Sequence, residues 1–318
     1  MRPVLCLTVS LLLLAGCQKS GGKVIGVVPK GANHIFWLTV KAGAEKAAAE
    51  AGYTVEWNAP ALEIDAKRQQ DIIESMVNRR LAGIALAPVD KKALVNVVEK
   101  AAAAGIPTVI YDSGVDTEKR VSYVATDNKE GGRMAARRLG EVLGGKGKVG
   151  VIGFMPGSAS TMEREDGFLE ELKAKFPGME MVGLQFGMAD RAKAMAVTEN
   201  LMTAHPDLAG LFADNESSLS GAVQALKSRG NRKVKLVGFD ASDALVADLR
   251  EGWIDALVLQ DPYRMGYESV QAITRKLAGE TPAARLDLAA TLATREDLAA
   301  GRVAKQLLPG FVAVSGAH

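Results

Sequence analysis

Cysteine, histidine and aromatic residues are scarce in this 318-residue chain, and each scarcity closes off a class of chemistry. The two cysteines, Cys6 and Cys17, both fall within the first seventeen residues. From residue 18 onward there is therefore no disulfide, no cysteine nucleophile and no thiolate metal site. The three histidines, His34, His205 and His318, are scattered without metal-ligand spacing, so neither a metal nor a cofactor is expected. Net charge is only +2, which gives no basic excess for nucleic acid. Short basic clusters such as Arg137-Arg138, or Lys146 and Lys148, read as solvated faces. Catalytic signatures are missing too: there is no Walker phosphate loop, no G-x-S-x-G elbow and no H-E-x-x-H helix. Gly145-Lys146-Gly147-Lys148-Val149-Gly150 matches G-x-G-x-x-G in letters only. It follows a helical segment and precedes a strand, the reverse of the context that holds pyrophosphate, and so reads as a helix stop and turn.

What is present begins at the N-terminus. Met1-Arg2-Pro3, an apolar run from Val4 to Leu14 and small residues before Cys17 describe a secretory signal over residues 1–17. The run is too short to span a bilayer. Leu14-Ala15-Gly16-Cys17 looks like a bacterial lipobox, which would make Cys17 a lipidated first residue anchoring the protein at a membrane surface. The roughly 300 residues that follow suffice for two domains. Their 48% hydrophobic and 24% charged composition is that of a globular fold.

From Lys23 onward short apolar strands alternate with helical segments. Val24–Val28, Tyr53–Trp57, Gly83–Ala87 and Thr108–Tyr111 read as strands, with helices at Phe36–Ala51, Ala66–Arg79 and Lys91–Ala104. A strand at Val121–Ala125 closes this set. The pattern then restarts, with strands at Lys148–Ile152, Met181–Leu184, Gly210–Ala213 and Val234–Phe239, and helices between them. Uniformly apolar strands in strict alternation with helices imply parallel sheets covered on both faces. The tail adds a strand at Ala256–Gln260, a helix at Met265–Leu277 and one extended piece at Leu286–Leu292. About 60 residues cannot build a core alone, so these should complete the two lobes.

Open parallel sheets bind ligands beyond the carboxyl ends of their strands, and polar residues gather there. Lys30 and Asn33 follow the first strand, with Phe36 and Trp37 just behind. Asp112 and Ser113 end the fourth strand, Asn215 lies past Phe212-Ala213, Asp240 follows Phe239, and Gln260 ends the late strand. Arg164 lies in the helix opening the second lobe. Carboxylates, amides and a guanidinium beside an aromatic ring suit a small polyol. Each buried hydroxyl must be paired, because an unmade bond costs about 1–3 kcal/mol, and an aromatic face covers the C–H side of a sugar. Each residue also has a plainer reading. Asp or Asn after a strand serves as a helix N-cap, Lys30 can be a solvated rim lysine, and adjacent Phe36 and Trp37 point to different sides of a helix.

Taken in order, these residues resemble a known family, the periplasmic sugar-binding proteins of ABC transporters in the ribose-binding group. The carriers are Val27-Val28 with Asn33 to Trp37, Val109 to Ser113, Thr126-Asp127-Asn128 before Gly131-Gly132, Glu163-Arg164 before Gly167-Phe168, Phe212 to Asn215, Val237 to Asp240, and Leu259-Gln260. The resemblance implies an α/β fold of two doubly wound parallel-sheet lobes joined by a multi-crossing hinge, the periplasmic binding protein-like I fold. One lobe would comprise residues 21–126 plus 262–290 and the other 127–261 plus 291–318. It further implies a monosaccharide held between Asn33, Phe36 and Asp112 on one side and Arg164, Asn215, Phe239, Asp240 and Gln260 on the other. Partners would be an ABC permease and its ATPase, with the protein acting as a monomeric lipoprotein of the periplasm or cell surface. The chain departs from the ribose pattern: Ile35 and Ala189 stand where aromatics are expected, Ser113 where an arginine is, and Lys30 adds a charge. A pentose, hexose, deoxysugar, ketose or sugar acid fits this altered set. Rival readings are a ligand sensor feeding a chemoreceptor or sensor kinase, an exported sugar-acting enzyme, and the effector half of a LacI-type repressor. The last would need a basic helix-turn-helix where the signal peptide stands.

Overall fold

A computed structural model describes residues 23–32 and 34–303; Cys17 and Asn33 lie outside the described residues. The first half runs β1 (Val24–Val28), α1 (Ile35–Glu50), β2 (Thr54–Trp57), α2 (Ala66–Asn78), β3 (Gly83–Leu86), α3 (Val95–Ala103), β4 (Thr108–Tyr111) and β5 (Ser122–Thr126). The second runs α4 (Asn128–Leu143), β6 (Lys146–Gly153), α5 (Ala159–Lys175), β7 (Gly178–Phe186), α6 (Arg191–Ala204), β8 (Leu208–Ala213), α7 (Glu216–Ser228), β9 (Lys235–Phe239), α8 (Asp243–Glu251) and β10 (Ala256–Leu259). The chain ends with α9 (Pro262–Leu277), β11 (Arg285–Leu288), β12 (Thr291–Ala293) and α10 (Arg295–Ala299).

Two six-stranded sheets result, ordered β11-β5-β4-β3-β1-β2 and β12-β10-β9-β8-β6-β7. Every described pairing is parallel except β10 with β12. The strands are uniformly apolar because helices cover both faces: β1, β3, β4 and β10 expose almost nothing. Helix starts follow from side-chain caps, which satisfy free N–H groups of the first turn. Asp65 accepts from Arg68 N, Asp127 from Glu130 N and Asn215 from Ser218 N. Asp261 caps α9, whose first residue is Pro262.

The backbone passes between the sheets after β5, after β10 and between β11 and β12. The last passage corrects the single extended piece expected at Leu286–Leu292. It is two short strands, one parallel to β5 and the other antiparallel to β10. Helices α8 and α10, nine and five residues long, are two further elements that the sequence pattern did not supply.

Close helix packing fixes where site residues project. At Gly132 an added Cβ would stand 2.0 Å from the carbonyl oxygen of Arg164, so α4 and α5 touch backbone to backbone directly beside that arginine. The same device joins α1 to α9 at Gly43 and Gly266. Among the described residues no helix is long and apolar enough to cross a membrane.

Candidate functional site

Strands of both sheets end at one cavity of about 650 Å³. Asp112 and Asp240 are the first residues past β4 and β9, and both adopt left-handed backbone, with φ of +60° and +73°. Each is pinned there by its N–H, donating to Val124 O at 3.0 Å and to Val258 O at 2.9 Å. That conformation costs a non-glycine residue roughly 1–2 kcal/mol, and aspartate tolerates it better than most. Strain repeated at matching positions of two lobes, with both carboxylates lining one cavity, points to a site built for a ligand.

Around Asp112 the wall is ionic. Lys30 Nζ lies 2.8 Å from Asp112 Oδ2, in a geometry too poor for a directed hydrogen bond, so the contact is an ion pair. The same ammonium donates across the cleft to Ser158 Oγ at 3.3 Å and Ser160 Oγ at 3.2 Å. Lys30 is only 4% exposed, which removes the solvated-rim reading.

Around Asp240 the groups interlock. Its Oδ1 accepts from Gln260 Nε2 at 2.6 Å and its Oδ2 from Glu216 N at 3.0 Å. Gln260 Oε1 in turn accepts from Thr126 Oγ1 at 2.6 Å, so the glutamine ties the end of β5 to the ends of β9 and β10. Arg164 is 2% exposed and fully oriented. Its Nε donates to Asn128 Oδ1 and its Nη1 to the Asp214 carbonyl, both at 2.8 Å, and its guanidinium lies 4.0 Å from the Phe239 ring centroid.

Eight residues singled out from sequence therefore share the cavity: Lys30, Phe36, Trp37, Asp112, Arg164, Asn215, Asp240 and Gln260. Two do not reach it. Phe239, the last residue of β9, is fully buried beneath Arg164, while Asp240, just past the strand in left-handed backbone, takes the cavity side. Ser113 is buried between the lobes, where its hydroxyl accepts from Ser160 N at 3.1 Å and so caps the start of α5. Asn215 lines the cavity and also caps α7, so both of its readings hold. Phe36 and Trp37 pack edge-to-face at 4.8 Å, with Trp37 nearly all core.

Sequence reasoning missed four charged or titratable cavity residues, His34, Glu216, Arg191 and Glu63. His34 Nε2 contacts Glu216 Oε2 at 3.0 Å across the cleft, and Arg191 holds the other Glu216 oxygen at 2.8 Å. Burial opposes charging on both partners. Even so, their close contact and opposite charges raise the His34 pKa and lower that of Glu216 to about 2. A second demand on the imidazole pulls the other way: Nδ1 accepts from Phe36 N at 3.1 Å, a helix cap that a proton on Nδ1 would break. Glu63, from the β2–α2 loop, accepts from Trp37 Nε1 at 2.7 Å; burial raises its pKa, with His34 and that hydrogen bond opposing. Behind the wall, Glu165 and Asp214 form a buried carboxyl pair. Desolvation pushes Glu165 up to about 7 and Asp214 far above its usual value, so the pair holds a proton. A position just before or after a strand-end residue was the available signal for His34 and Glu216.

Among the described residues no cluster of three or more ligating side chains could hold a metal ion. Comparison with known proteins adds kinship to this geometry. The periplasmic binding protein domain pattern matches residues 25–281. The ribose import binding protein of Bacillus subtilis is 31% identical over 287 residues, covering 86% of this chain and 92% of that protein. A carbohydrate transporter solute-binding protein from Agrobacterium radiobacter, solved with D-arabinose, superposes with a TM-score of 0.87 at 32% identity, covering 91% of this chain and 99% of that one. An ABC transporter solute-binding protein from Agrobacterium vitis, solved with D-fucose, gives 0.86 at 31% identity, covering 89% and 99%.

Proposed function

The chain belongs to the periplasmic binding protein domain family, and from that premise we propose that it captures a monosaccharide outside the cytoplasm and delivers it to an ABC permease and its ATPase. It acts by binding and closure, not catalysis. Support comes from one observation above all: Asp112 and Asp240, each held in strained backbone at a strand end, line the same cavity from opposite sheets. Carboxylates accept hydroxyl protons, while Arg164 and Lys30 donate to ring and hydroxyl oxygens; charged partners make the stronger bonds. Residues 21–126 plus 262–290 serve as one lobe and 127–261 plus 291–318 as the other. A sugar bonded to both favours the closed state, because only that state offers both sets of contacts. Lys30 and Ser113 on the first lobe already bond Ser158 and Ser160 on the second, which sets the closed register. Cys17 carries the lipid that keeps this monomer at the membrane beside its permease.

The test is a thermal-shift screen of residues 18–318 against pentoses, hexoses, ketoses, deoxysugars and sugar acids. A ligand at one hundred times its dissociation constant stabilises the fold by about 2.7 kcal/mol, or roughly 5 °C at this size. One sugar class should give that shift. A flat response across the panel contradicts the reading.

A further inference from the structure

The cleft brings one titratable pair together from opposite lobes, His34 of the first and Glu216 of the second. Glu216 is the first residue of α7 and only 3% exposed. Its Oε1 accepts from Arg191 Nη2 at 2.8 Å and from Ser220 Oγ at 2.9 Å. Its Oε2 is buried without a hydrogen-bond partner, and His34 Nε2 stands 3.0 Å away. A neutral N–H gains little from a contact off the hydrogen-bond line, whereas attraction between charges needs no line. The contact therefore suits an imidazolium better than an imidazole.

Strained backbone delivers part of the second-lobe side. Met188 and Ala189, just past β7, are both left-handed, with φ of +56° and +57°. The Met188 N–H is fastened to Phe154 O at 2.7 Å, and the turn leads into α6, whose first residue is Arg191. Two successive non-glycine residues in this region persist only where their surroundings hold them, which is common at functional sites.

Parting the lobes changes what His34 faces. In the cleft it meets Glu216 of α7, Glu63 of the β2–α2 loop and Asp240 past β9, with Arg191 of α6 on the other Glu216 oxygen. Of these only Glu63 belongs to the first lobe. Burial opposes a proton on His34, but Glu216 above all, then Glu63 and Asp240, hold its pKa above the ordinary 6.5. Opening takes away Glu216 and Asp240 and lets the value fall. The bond from Phe36 N to Nδ1 lies within the first lobe, so its loss on protonation costs the same open or closed. A group with a higher pKa in the closed state favours closure fully below its open-state pKa. That bias is lost as pH rises through the closed-state value.

We propose that His34 and Glu216 form a proton-operated latch that biases the two lobes toward closure at mildly acidic pH, without any ligand. The latch rests on the hinged closure described above and not on the ligand being a sugar. The cross-cleft bonds of Lys30, Ser113 and the Lys91 N–H use an ammonium, a hydroxyl and a backbone group. Imidazole is the side chain whose charge ordinarily changes between pH 5 and 8.

Single-molecule energy transfer on ligand-free residues 18–318 tests it. That segment has no cysteine, so Lys67→Cys and Lys193→Cys give two unique labels. They lie on α2 and α6, which follow β2 and β7, the sheet edges farthest from the crossing strands. The closed-to-open ratio should rise about fivefold from pH 8.5 to 6, the low end of usual coupling between sites. His34→Asn keeps a helix-capping side chain but cannot titrate, and should abolish the rise. Glu216→Gln, altered on the other lobe, should remove most of it. A wild-type ratio unchanged with pH, a single population throughout included, overturns the proposal. So does a rise that persists in His34→Asn, which would belong to the Glu165–Asp214 pair inside the second lobe. Sugar-driven closure would survive either result, because a bound sugar supplies its own bonds to both lobes.

Discussion

Replacing Lys30 with methionine isolates the ion pair on the cavity floor. Both side chains of the Lys30–Asp112 pair are 5% exposed, and the ammonium also holds two serine hydroxyls of the opposite lobe. Methionine keeps the length and the apolar stem but leaves Asp112 buried without a counter-charge. Removing one member of a buried pair costs about 3–5 kcal/mol, far more than the pair itself contributes. Part of this cost is relieved if the lobes part and water reaches Asp112, so about 3 kcal/mol should remain in urea denaturation of the ligand-free protein at pH 7. Adding Asp112→Asn removes the stranded charge, and asparagine accepts the same left-handed backbone. The double variant should therefore recover all but about 1 kcal/mol, a coupling readable from the cycle. A loss under about 1 kcal/mol for Lys30→Met, or a double variant no better than the single, would refute this account of the floor.

Two further outcomes follow from other parts of the molecule. The Glu165 carboxyl has a folded pKa near 7 against 4.5 when free, so the folded state holds a proton that the unfolded state has released. Stability from this pair must then fall as pH rises from about 4.5 to 7, by up to roughly 3 kcal/mol. Asp214→Asn supplies a neutral donor in place of the shared proton and should flatten the melting-temperature profile between pH 5 and 8; parallel profiles would contradict the shared proton. Cys17→Ser should move the protein from the membrane fraction to the soluble extracytoplasmic fraction, and continued membrane association would rule out the lipid as its anchor.

Much of the architecture was legible because parallel α/β folds write it twice, once in apolar strands and again in helix periods. Strand-end residues were legible for a related reason: a parallel sheet sends its polar loops to one edge, and Asp112, Asp240 and Gln260 all lie there. Side-chain direction was harder. Phe239 and Asp240 are neighbours in sequence, yet the end of β9 and the left-handed turn at Asp240 put one under Arg164 and the other in the cavity. Pairing between distant segments could not be read at all. Nothing near Lys30 announces Asp112, and nothing near His34 announces Glu216, because the first pair meets across the end of β3 and the second across the cleft, contacts made only in the folded chain. Glu63 stayed hidden in a loop with no periodicity, and β11 and β12 merged because two residues between strands leave no punctuation in the pattern.

The central claim is that a sugar binds between the lobes on Asp240 and its neighbours. Titration of the wild-type protein and of Asp240→Ala with the sugar found in the thermal-shift screen tests it most directly. The account predicts one site per chain and at least a hundredfold weaker binding in the variant, since two charge-assisted bonds of about 1.5–3 kcal/mol each are lost. Equal affinity in the two proteins would place the ligand elsewhere and contradict the site.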